Sequence, residues 1–321
     1  IVADMTRQVR NESFDEQPVP TLNSEAIDFR VASELFAEKR TLKRGDLLTL
    51  RLTAKHQRTI VPTVAGILLF GKDRLAHFPD AWIQAGRFQG ADRSRILDTV
   101  SLRSLPVKAI DESIAFIRKH ISVEARIEGV RRNDLWPIPL PAIREAVINA
   151  VVHADYSQSG APIRLSLFDN RIEIENPGLL PFGLTVEDIR RGISKLRNRA
   201  IGRVFHELGL IEQWGSGIQR IVSTCRDAGL KQPAFEEIGV HFRVTLYSER
   251  ERAHDLDAID QAILSLLDDG QGRSTSDISE HIGRSTRATR TRLISLIERG
   301  LVREVGTGPR DPQRRYYIAH R

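Results

Sequence analysis

The sequence of 321 residues contains a single cysteine, Cys225, which excludes an internal disulfide and a zinc site built from cysteines. It has no run of about eighteen or more apolar residues, the length that suggests a membrane-spanning helix. The first residues, IVADMTRQVRNESF, lack the long apolar region of a signal peptide. These absences predict a cytoplasmic protein. Because the first residue is Ile1, we also expect a fragment or a processed product.

The composition is that of a globular protein, with 40% hydrophobic and 28% charged residues. At roughly 100–200 residues per domain, the length predicts two or three domains. The net charge is +6, and almost all of the basic residues are arginine. An excess of this size favours a polyanionic partner only weakly, so the position of the charge matters more than its total.

The pattern of apolar residues predicts an α+β protein, in which helices lie beside a mostly antiparallel sheet as a two-layer sandwich. Helices are expected from about Ser24, over 63–70 and over 107–121, and a strand over 81–90. Alternating apolar residues on either side of Asp169 and Asn170 predict a hairpin with one buried face. The predicted domains are an N-terminal α/β subdomain (1–125), a second α+β domain (126–250) and a C-terminal module (251–321).

The C-terminal module shows three short amphipathic helices, a glycine stop at Gly300 and two strand-like segments, LVREV and RRYYIA. This order, and above all GRSTRATRTRLISLIERGLV, resembles the winged helix-turn-helix family. Leu293, Leu296 and Leu301 fit that family's core positions. The resemblance implies that the third helix enters the major groove of double-stranded DNA, while the strands touch the DNA backbone.

Charge in this module is polarised. Residues 255–283 contain one arginine against seven acidic residues, whereas 284–321 contain ten arginines against three acidic residues. Arginines at a spacing of three lie along one side of the third helix. The predicted DNA-binding residues are Arg284, Arg287 and Arg290 on this helix and Arg310, Arg314 and Arg315 on the wing. The alternative is a winged helix that serves protein contact or dimerisation, with solvated arginines.

The stretch GILLFGKD at 66–73 has the spacing of a phosphate-binding loop. The four spacer residues are apolar, and Asp73 stands where a hydroxyl group should bind magnesium. The stretch therefore predicts a buried helix that ends at Gly71.

A different stretch, EAVINAVVHADY at 145–156, carries an evenly spaced polar stripe. Glu145, Asn149 and His153 follow one another at intervals of four, and only Ala, Val and Ile lie between them up to Ala154. On a helix these positions form one line with apolar surface on both sides. Such polar groups are at least partly buried and need partners.

Further motifs follow the stripe: ENPG after the predicted hairpin, and GSG before a predicted helix whose amide groups could hold an anion. Together they resemble the Bergerat (GHKL-like) ATP-binding domain. The similarity is greatest to the Schlafen/RecG-like transcriptional regulator family, in which such a domain precedes a winged helix. The segments that carry this resemblance are TVAGILLFGK, REAVINAVVHADYS, RIEIENPGLLPFG, KLRNRAIGRVFHELGLIEQWGSGIQRI and FRVTL.

The resemblance implies ATP and Mg²⁺ as ligands and a role for each matching residue. Asn149 would coordinate the metal, and Glu145 would orient or deprotonate water if hydrolysis occurs. The nucleotide-binding positions would also include His153, which has no firm role in the family. Asn176 and Gly178 would lie near the adenine, and Gly215, Ser216 and Gly217 near phosphate.

Two departures from the superfamily favour a sensor over an enzyme. Active members usually carry an aspartate where Asn176 stands, and their glycine-rich lid is longer than the segment 178–217. We therefore expect a DNA-binding transcriptional regulator, by default a homodimer, with a nucleotide-binding or degenerate ATPase-like domain. No match to a Schlafen-type N-terminal domain is found in this chain.

Two alternative functions remain open from the sequence, besides a central domain that serves only as a dimerisation scaffold. The first is an ATP-hydrolysing conformational switch. The second is a metal-dependent hydrolase that uses Glu145, His153 and Asp155, since imidazole and carboxylate groups suit several divalent metals.

Overall fold

The computed structural model describes residues 13–121, 124–128, 131–212, 215–250, 256–306 and 314–319. The chain divides into two compact units, Ile1–Arg250 and Glu251–Arg321. None of the described helices combines the length and the apolar character that crossing a membrane requires.

The first unit begins with short elements. They are two 3-10 turns (Phe14–Glu16 and Ser24–Ala26), α1 (Phe29–Phe36), α2 (Asp46–Thr49), β1 (Thr53–His56), β2 (Thr59–Pro62), α3 (Val64–Phe70) and α4 (Arg74–His77). The helix predicted from Ser24 thus starts five residues later, because the Asp28 carboxylate accepts the amide groups of Arg30 and Val31 and caps α1 there.

The remaining elements of this unit build the sheet and the helices on it. They are β3 (Ile83–Phe88), β4 (Ile96–Leu102), α5 (Pro106–His120), β5 (Glu124–Glu128), β6 (Arg131–Leu135), α6 (Leu140–His153), β7 (Ile163–Leu167), β8 (Arg171–Pro177), α7 (Val186–Arg190), α8 (Arg199–Glu207), α9 (Gly217–Asp227), β9 (Ala234–Ile238) and β10 (His241–Tyr247).

Six strands form one sheet in the order β4-β3-β7-β8-β10-β9, in which only the pair β3 and β7 is parallel. The α+β class predicted from the sequence is thereby confirmed. The boundary predicted between residues 125 and 126 falls inside β5, and the sheet takes strands from both sides of it. The two subdomains predicted there share one sheet within one compact unit.

The hairpin predicted around Asp169 and Asn170 is the antiparallel pair β7 and β8. Its apolar face is buried as expected, with Leu165 opposite Ile174 in the core. The prediction of a single buried face was wrong, because Glu173 and Glu175 on the other face are only 6% and 4% exposed. Guanidinium groups cover these carboxylates and compensate their burial: Arg93, Arg171 and Arg243 pair with them.

The segment GILLFGK contains α3, all seven residues of which are buried. The Thr63 hydroxyl caps the helix by accepting the amide of Gly66 at 3.2 Å, and Gly71 follows its last residue. Because the backbone of this segment is engaged in a core helix, it offers no solvated cradle for phosphate. The interpretation as a buried helix is confirmed.

The side chain of Asp15, near the start of the chain, caps α8, which begins at Arg199. The Asp15 side chain accepts the amide of Ile201 at 2.8 Å, in the first turn of α8, and the Ser13 hydroxyl at 2.5 Å. Asn198, which precedes α8, does not cap it, because its amide donates to the carbonyl groups of Val152 and Ala154 at 2.8 and 2.7 Å. Asp15 thus replaces the missing local cap.

This carboxylate should make stability depend on pH. Burial raises the pKa of Asp15 to about 6 from 3.8. The folded chain therefore favours the neutral acid. The stability that the neutral side chain contributes is fully present below about pH 4, near its usual pKa of 3.8, and is lost as the pH rises through 6. A shift of this size corresponds to about 3 kcal/mol. We expect Asp15→Asn, which cannot ionise, to gain about that much relative to the wild type between pH 4 and pH 7.

Urea unfolding of both proteins across this pH range measures the difference, and parallel profiles would contradict the expectation. Asp46→Asn is the control of opposite sign. The amide of Lys43, and then the Arg40 guanidinium, hold the pKa of Asp46 below its usual value. That contribution is present above the unfolded pKa and is lost as the pH falls.

The second unit consists of α10 (Ala258–Leu267), α11 (Thr275–His281), α12 (Thr286–Glu298), β11 (Val302–Val305) and β12 (Arg315–Ile318). Asp257, Ser274 and Ser285 cap the three helices, and β11 pairs with β12 antiparallel. Leu293 and Leu296 are fully buried, and Leu301 packs against the same core. Three capped helices followed by a two-stranded ribbon form the predicted winged helix.

Candidate functional site

The polar stripe lies on α6, whose other residues between 145 and 153 are buried. Glu145 is 9% exposed, and Asn149 and His153 are partly buried. All three face a cavity of about 680 Å³. The same cavity is lined by the other positions that the sequence singled out: Asn176, Gly178, Gly215, Ser216 and Gly217. The fold thus brings together segments up to 72 residues apart, from 145 to 217, and their role in binding remains a prediction.

The start of α9 packs directly against the stripe. A Cβ atom on Gly217 would lie 2.3 Å from Glu145 Oε1 and 3.1 Å from Asn149 Nδ2, so any side chain at position 217 would displace these two groups. Asn149 Nδ2 donates to Glu145 Oε1 at 3.4 Å. The two polar side chains therefore lie side by side at the N-terminal end of a helix, where backbone amide groups and the helix dipole favour an anion.

Burial and a neighbouring cation have opposite effects on the pKa of Glu145. Burial raises the pKa of its carboxyl group, while Arg220 and Asn149 act in the opposite direction. The Arg220 Nη1 atom lies 3.6 Å from Glu145 Oε2, and Arg220 Nη2 lies 2.5 Å from Glu212 Oε1. A carboxyl group with a raised pKa at a cleft is a candidate for proton transfer.

His153 forms the far end of the stripe. Burial, with a smaller effect of the Arg197 charge, lowers the pKa of its imidazole to about 4. The ring is therefore neutral near pH 7 and can accept as well as donate a hydrogen bond.

The carboxylate of Asp155, just beyond the stripe, already forms hydrogen bonds and an ion pair with neighbouring groups. Its carboxylate accepts the Ser157 hydroxyl at 2.5 Å and the Gln158 amide at 3.2 Å, and it lies 3.7 Å from Arg197. Burial acts to raise the pKa of Asp155, but these hydrogen bonds and the Arg197 charge outweigh it and lower the pKa. Gly178 has a φ of +99°, and a Cβ atom there would lie 2.8 Å from that of Asp155. Asp155 thus supports the turn after β8.

Asn176 ends the apolar face of β8 and is 4% exposed. Its amide donates to the carbonyl oxygen of Pro177 at 3.1 Å. Phe242, which pairs with Asn176 across the sheet, is one of several apolar side chains in the cavity lining that suit a flat ring system; the others include Leu184, Ile189, Ile218 and Val244.

Cationic side chains around the cavity were missed by sequence reasoning. They are Lys195, Arg197, Arg199, Arg203 and Arg220, against two carboxylates, Glu145 and Glu212. A cavity of this size is within the usual range of roughly 300–1,000 Å³ for small-molecule sites. For Arg220 a signal was available, because it lies three residues after Gly217 and so on the same face of α9.

The described residues contain no group of three or more histidine, cysteine or acidic side chains that could hold a metal ion by themselves. The metal-dependent hydrolase hypothesis has no support there, since the Asp155 oxygens already have partners. A magnesium ion bound mainly by phosphates needs only one or two protein ligands. The side chains of Glu145 and Asn149 lie adjacent at the N-terminal end of α9 and carry oxygen atoms of the kind that such an ion binds.

In the second unit, Arg284, Arg287 and Arg290 lie exposed at and along the start of α12. Over residues 256–306 and 314–319 none of the three forms a salt bridge, whereas Arg292 on the same helix and Arg299 directly after it pair with Asp260. On the wing, Arg314 pairs with Glu304 at 3.1 Å and Arg315 with Asp277 at 3.2 Å. Arg310 lies outside the described residues.

Comparisons with known proteins agree with this architecture. Residues 160–246 match the family model described as "Putative ATP-dependent DNA helicase recG C-terminal", and residues 256–303 match the one described as "Winged helix-turn-helix DNA-binding". The chain therefore carries a RecG C-terminal-like ATPase-type domain followed by a winged helix DNA-binding domain, which confirms the recognised domain pair. The first match starts after α6, so the placement of Glu145 and Asn149 rests on the structure.

Among solved structures, the chain is similar to the DIP2311 protein from Corynebacterium diphtheriae, with a TM-score of 0.63 and 20% identity over 98% of this chain and 66% of that one. At this identity the likeness shows the fold alone. None of the curated proteins matches the chain.

Proposed function

We propose that this protein is a transcriptional regulator that senses a nucleotide and acts as a homodimer on double-stranded DNA. The observation that carries the proposal is the single cavity in which Glu145 and Asn149 face the N-terminal end of α9 among five cationic side chains. Cations and helix amide groups suit phosphates, and the apolar side chains of the cavity lining suit a base.

Within this proposal the ligand is ATP with Mg²⁺. The metal would be held by the side-chain oxygens of Asn149 and Glu145 and would neutralise phosphate charge. Asn176 would lie beside the base, and a neutral His153 would offer it a hydrogen-bonding edge. A homodimer would place two winged helices on two half-sites, which is the common arrangement of such modules.

Sensing is favoured over hydrolysis because Glu145 is paired with Arg220 without ligand and would be engaged with the metal ion in the nucleotide complex, so it is not free to accept a proton in either state. The second candidate, an ATP-hydrolysing switch, is favoured by one observation: burial raises the pKa of Glu145 towards the range of a general base.

Thermal unfolding of the full chain with ATP, ADP and Mg²⁺ tests the proposal. A ligand that binds only the folded state raises stability, by about 2.7 kcal/mol at a hundredfold excess over Kd. We expect ATP to raise the unfolding temperature of the wild type and Asn149→Ala to lose most of this shift, because it removes a proposed metal ligand.

Asn170→Ala is the matched control, since Asn170 lies in the hairpin turn and not in the cavity wall. No shift in the wild type with any nucleotide would refute the proposed ligand. Phosphate release from the same samples separates the two candidates: turnover lost in Glu145→Gln would establish the switch.

A further inference from the structure

Arg220 differs from the other cavity arginines in the position of its partners. Arg197 pairs with Asp155, and Arg199 and Arg203 pair with Glu16; neither acid lines the cavity. Arg220 pairs with Glu145 and Glu212, which both do. Its charge is therefore balanced inside the cavity, where a ligand would compete for it.

The two partners of Arg220 are unequal. The Glu145 side chain is 11% exposed, and its contact with Arg220 is 3.6 Å long; the Glu212 side chain is 58% exposed and lies 2.5 Å away. An exposed ion pair contributes little and is readily exchanged. A buried carboxylate needs a countercharge, which a metal ion could supply in place of the guanidinium group.

The same arginine is linked to the first turn of α9. Its Nη2 atom lies 3.5 Å from Ser216 Oγ, and that hydroxyl donates to Glu212 at 3.1 Å. Arg220 therefore lies where the N-terminal end of α9, Glu145 and the cavity meet. A phosphate group held there would lie near the planar guanidinium group, which binds phosphate well because it can donate two parallel hydrogen bonds.

We propose that Arg220 selects for phosphate-bearing ligands, by exchanging Glu145 and Glu212 for the phosphate oxygens when a nucleotide binds. This inference rests on the proposed function and adds to it a specificity residue that lies within a segment of the resemblance, where the sequence assigned it no role. Without ligand, the guanidinium group is paired with Glu145 and Glu212.

Isothermal titration of the full chain with ATP and with adenosine tests the exchange. We expect Arg220→Gln to weaken ATP binding about tenfold or more, the range of a lost hydrogen bond between charged groups, and to leave adenosine binding unchanged. Arg220→Lys should keep part of the ATP affinity, because it retains the charge but not the bidentate geometry. Glu212→Gln should bind ATP at least as tightly as the wild type, because one competitor is removed.

Arg226→Gln is the matched control, as Arg226 lies on the same helix, pairs with Asp227 and does not line the cavity. Equal weakening of ATP and adenosine in Arg220→Gln would mean a structural role and would overturn the inference, as would unchanged ATP binding. A Glu212→Gln variant that loses ATP affinity would overturn the exchange. A wild type that binds neither ligand would overturn the proposed function itself, whereas the other outcomes arise only when that function holds.

Discussion

Replacing Gly217 by alanine is expected to remove most nucleotide binding while the chain still folds. The new methyl group would lie 2.3 Å from Glu145 Oε1 and 3.1 Å from Asn149 Nδ2, so either the carboxylate turns away or the start of α9 moves out. Forcing extra volume into a packed position typically costs about 1–3 kcal/mol. If this cost is subtracted from the free energy of ATP binding, the affinity for ATP drops by up to about 100-fold, because about 1.4 kcal/mol corresponds to a factor of ten.

Titration with ATP measures this effect, and the unfolding temperature without ligand shows whether the fold survives. The matched control is Gly45→Ala. Gly45 has a φ of −65°, and no atom lies within 4 Å of a Cβ built on it, so the same chemical change is expected to be neutral there. Wild-type ATP affinity in Gly217→Ala would show that the close approach of α9 to α6 has no part in binding.

The expected loss follows from how the cavity is assembled. Helix α6 is apolar on both sides of its stripe, and the burial of these apolar residues fixes the helix in the core. Beyond the stripe, Asn198 ties the carbonyl groups of Val152 and Ala154 to the start of α8. The added methyl group is therefore accommodated by rotation of the Glu145 side chain or by a shift of α9, and either response disturbs the end of the cavity at which phosphate is proposed to bind.

Much of this arrangement is visible in local sequence patterns. Helix periodicity and strand alternation place α3, α5, α6 and the β7–β8 hairpin, and cap residues place the winged helix elements. The stripe on α6 is visible because polar residues at a spacing of four interrupt an otherwise apolar helix. These signals are all contained within about one element, which is the range over which such patterns carry information.

Other features depend on pairings between distant segments and left no local signal. Strand β4 was missed because three of its apolar residues, Ile96, Leu97 and Val100, are exposed, so no buried face marks it. Asp15 reads as an ordinary acidic residue until the fold places it under α8, 186 residues away. Glu173 and Glu175 look like a solvent face because two of the three arginines that cover them, Arg93 and Arg243, come from a loop and from another strand.

The cations of the cavity show the same limit. The sequence contains 48 lysines and arginines, so an arginine by itself points to nothing. For Arg220 the local sequence indicates only that it shares a face of α9 with Gly217, and the two cavity carboxylates that pair with it are visible only in the fold. In the winged helix the reverse holds: Arg284, Arg287 and Arg290 matter because acidic residues of this unit pair with other arginines instead.

Changing these three arginines together to glutamine is expected to have the largest effect on DNA binding. If each neutralises one phosphate, the slope of log K against log salt becomes shallower by about 3, since each contact contributes about 0.9. If the variant and the wild type bind DNA equally at about 1 M salt, this difference in slope corresponds to a loss of affinity of about 10²- to 10³-fold at about 0.1 M salt. The folded unit should be unaffected, because the three side chains are exposed and form no salt bridge within the described part of the unit.

Fluorescence anisotropy with a short random-sequence duplex over a range of salt concentrations measures both quantities. The control removes three arginines from the first unit instead, Arg30, Arg191 and Arg226, which are exposed and paired only within their own helices or with an adjacent residue. Both variants lose the same net charge, so a general electrostatic effect would weaken them equally. An unchanged salt slope in the α12 variant would favour a winged helix that contacts protein, because phosphate neutralisation requires that slope to fall.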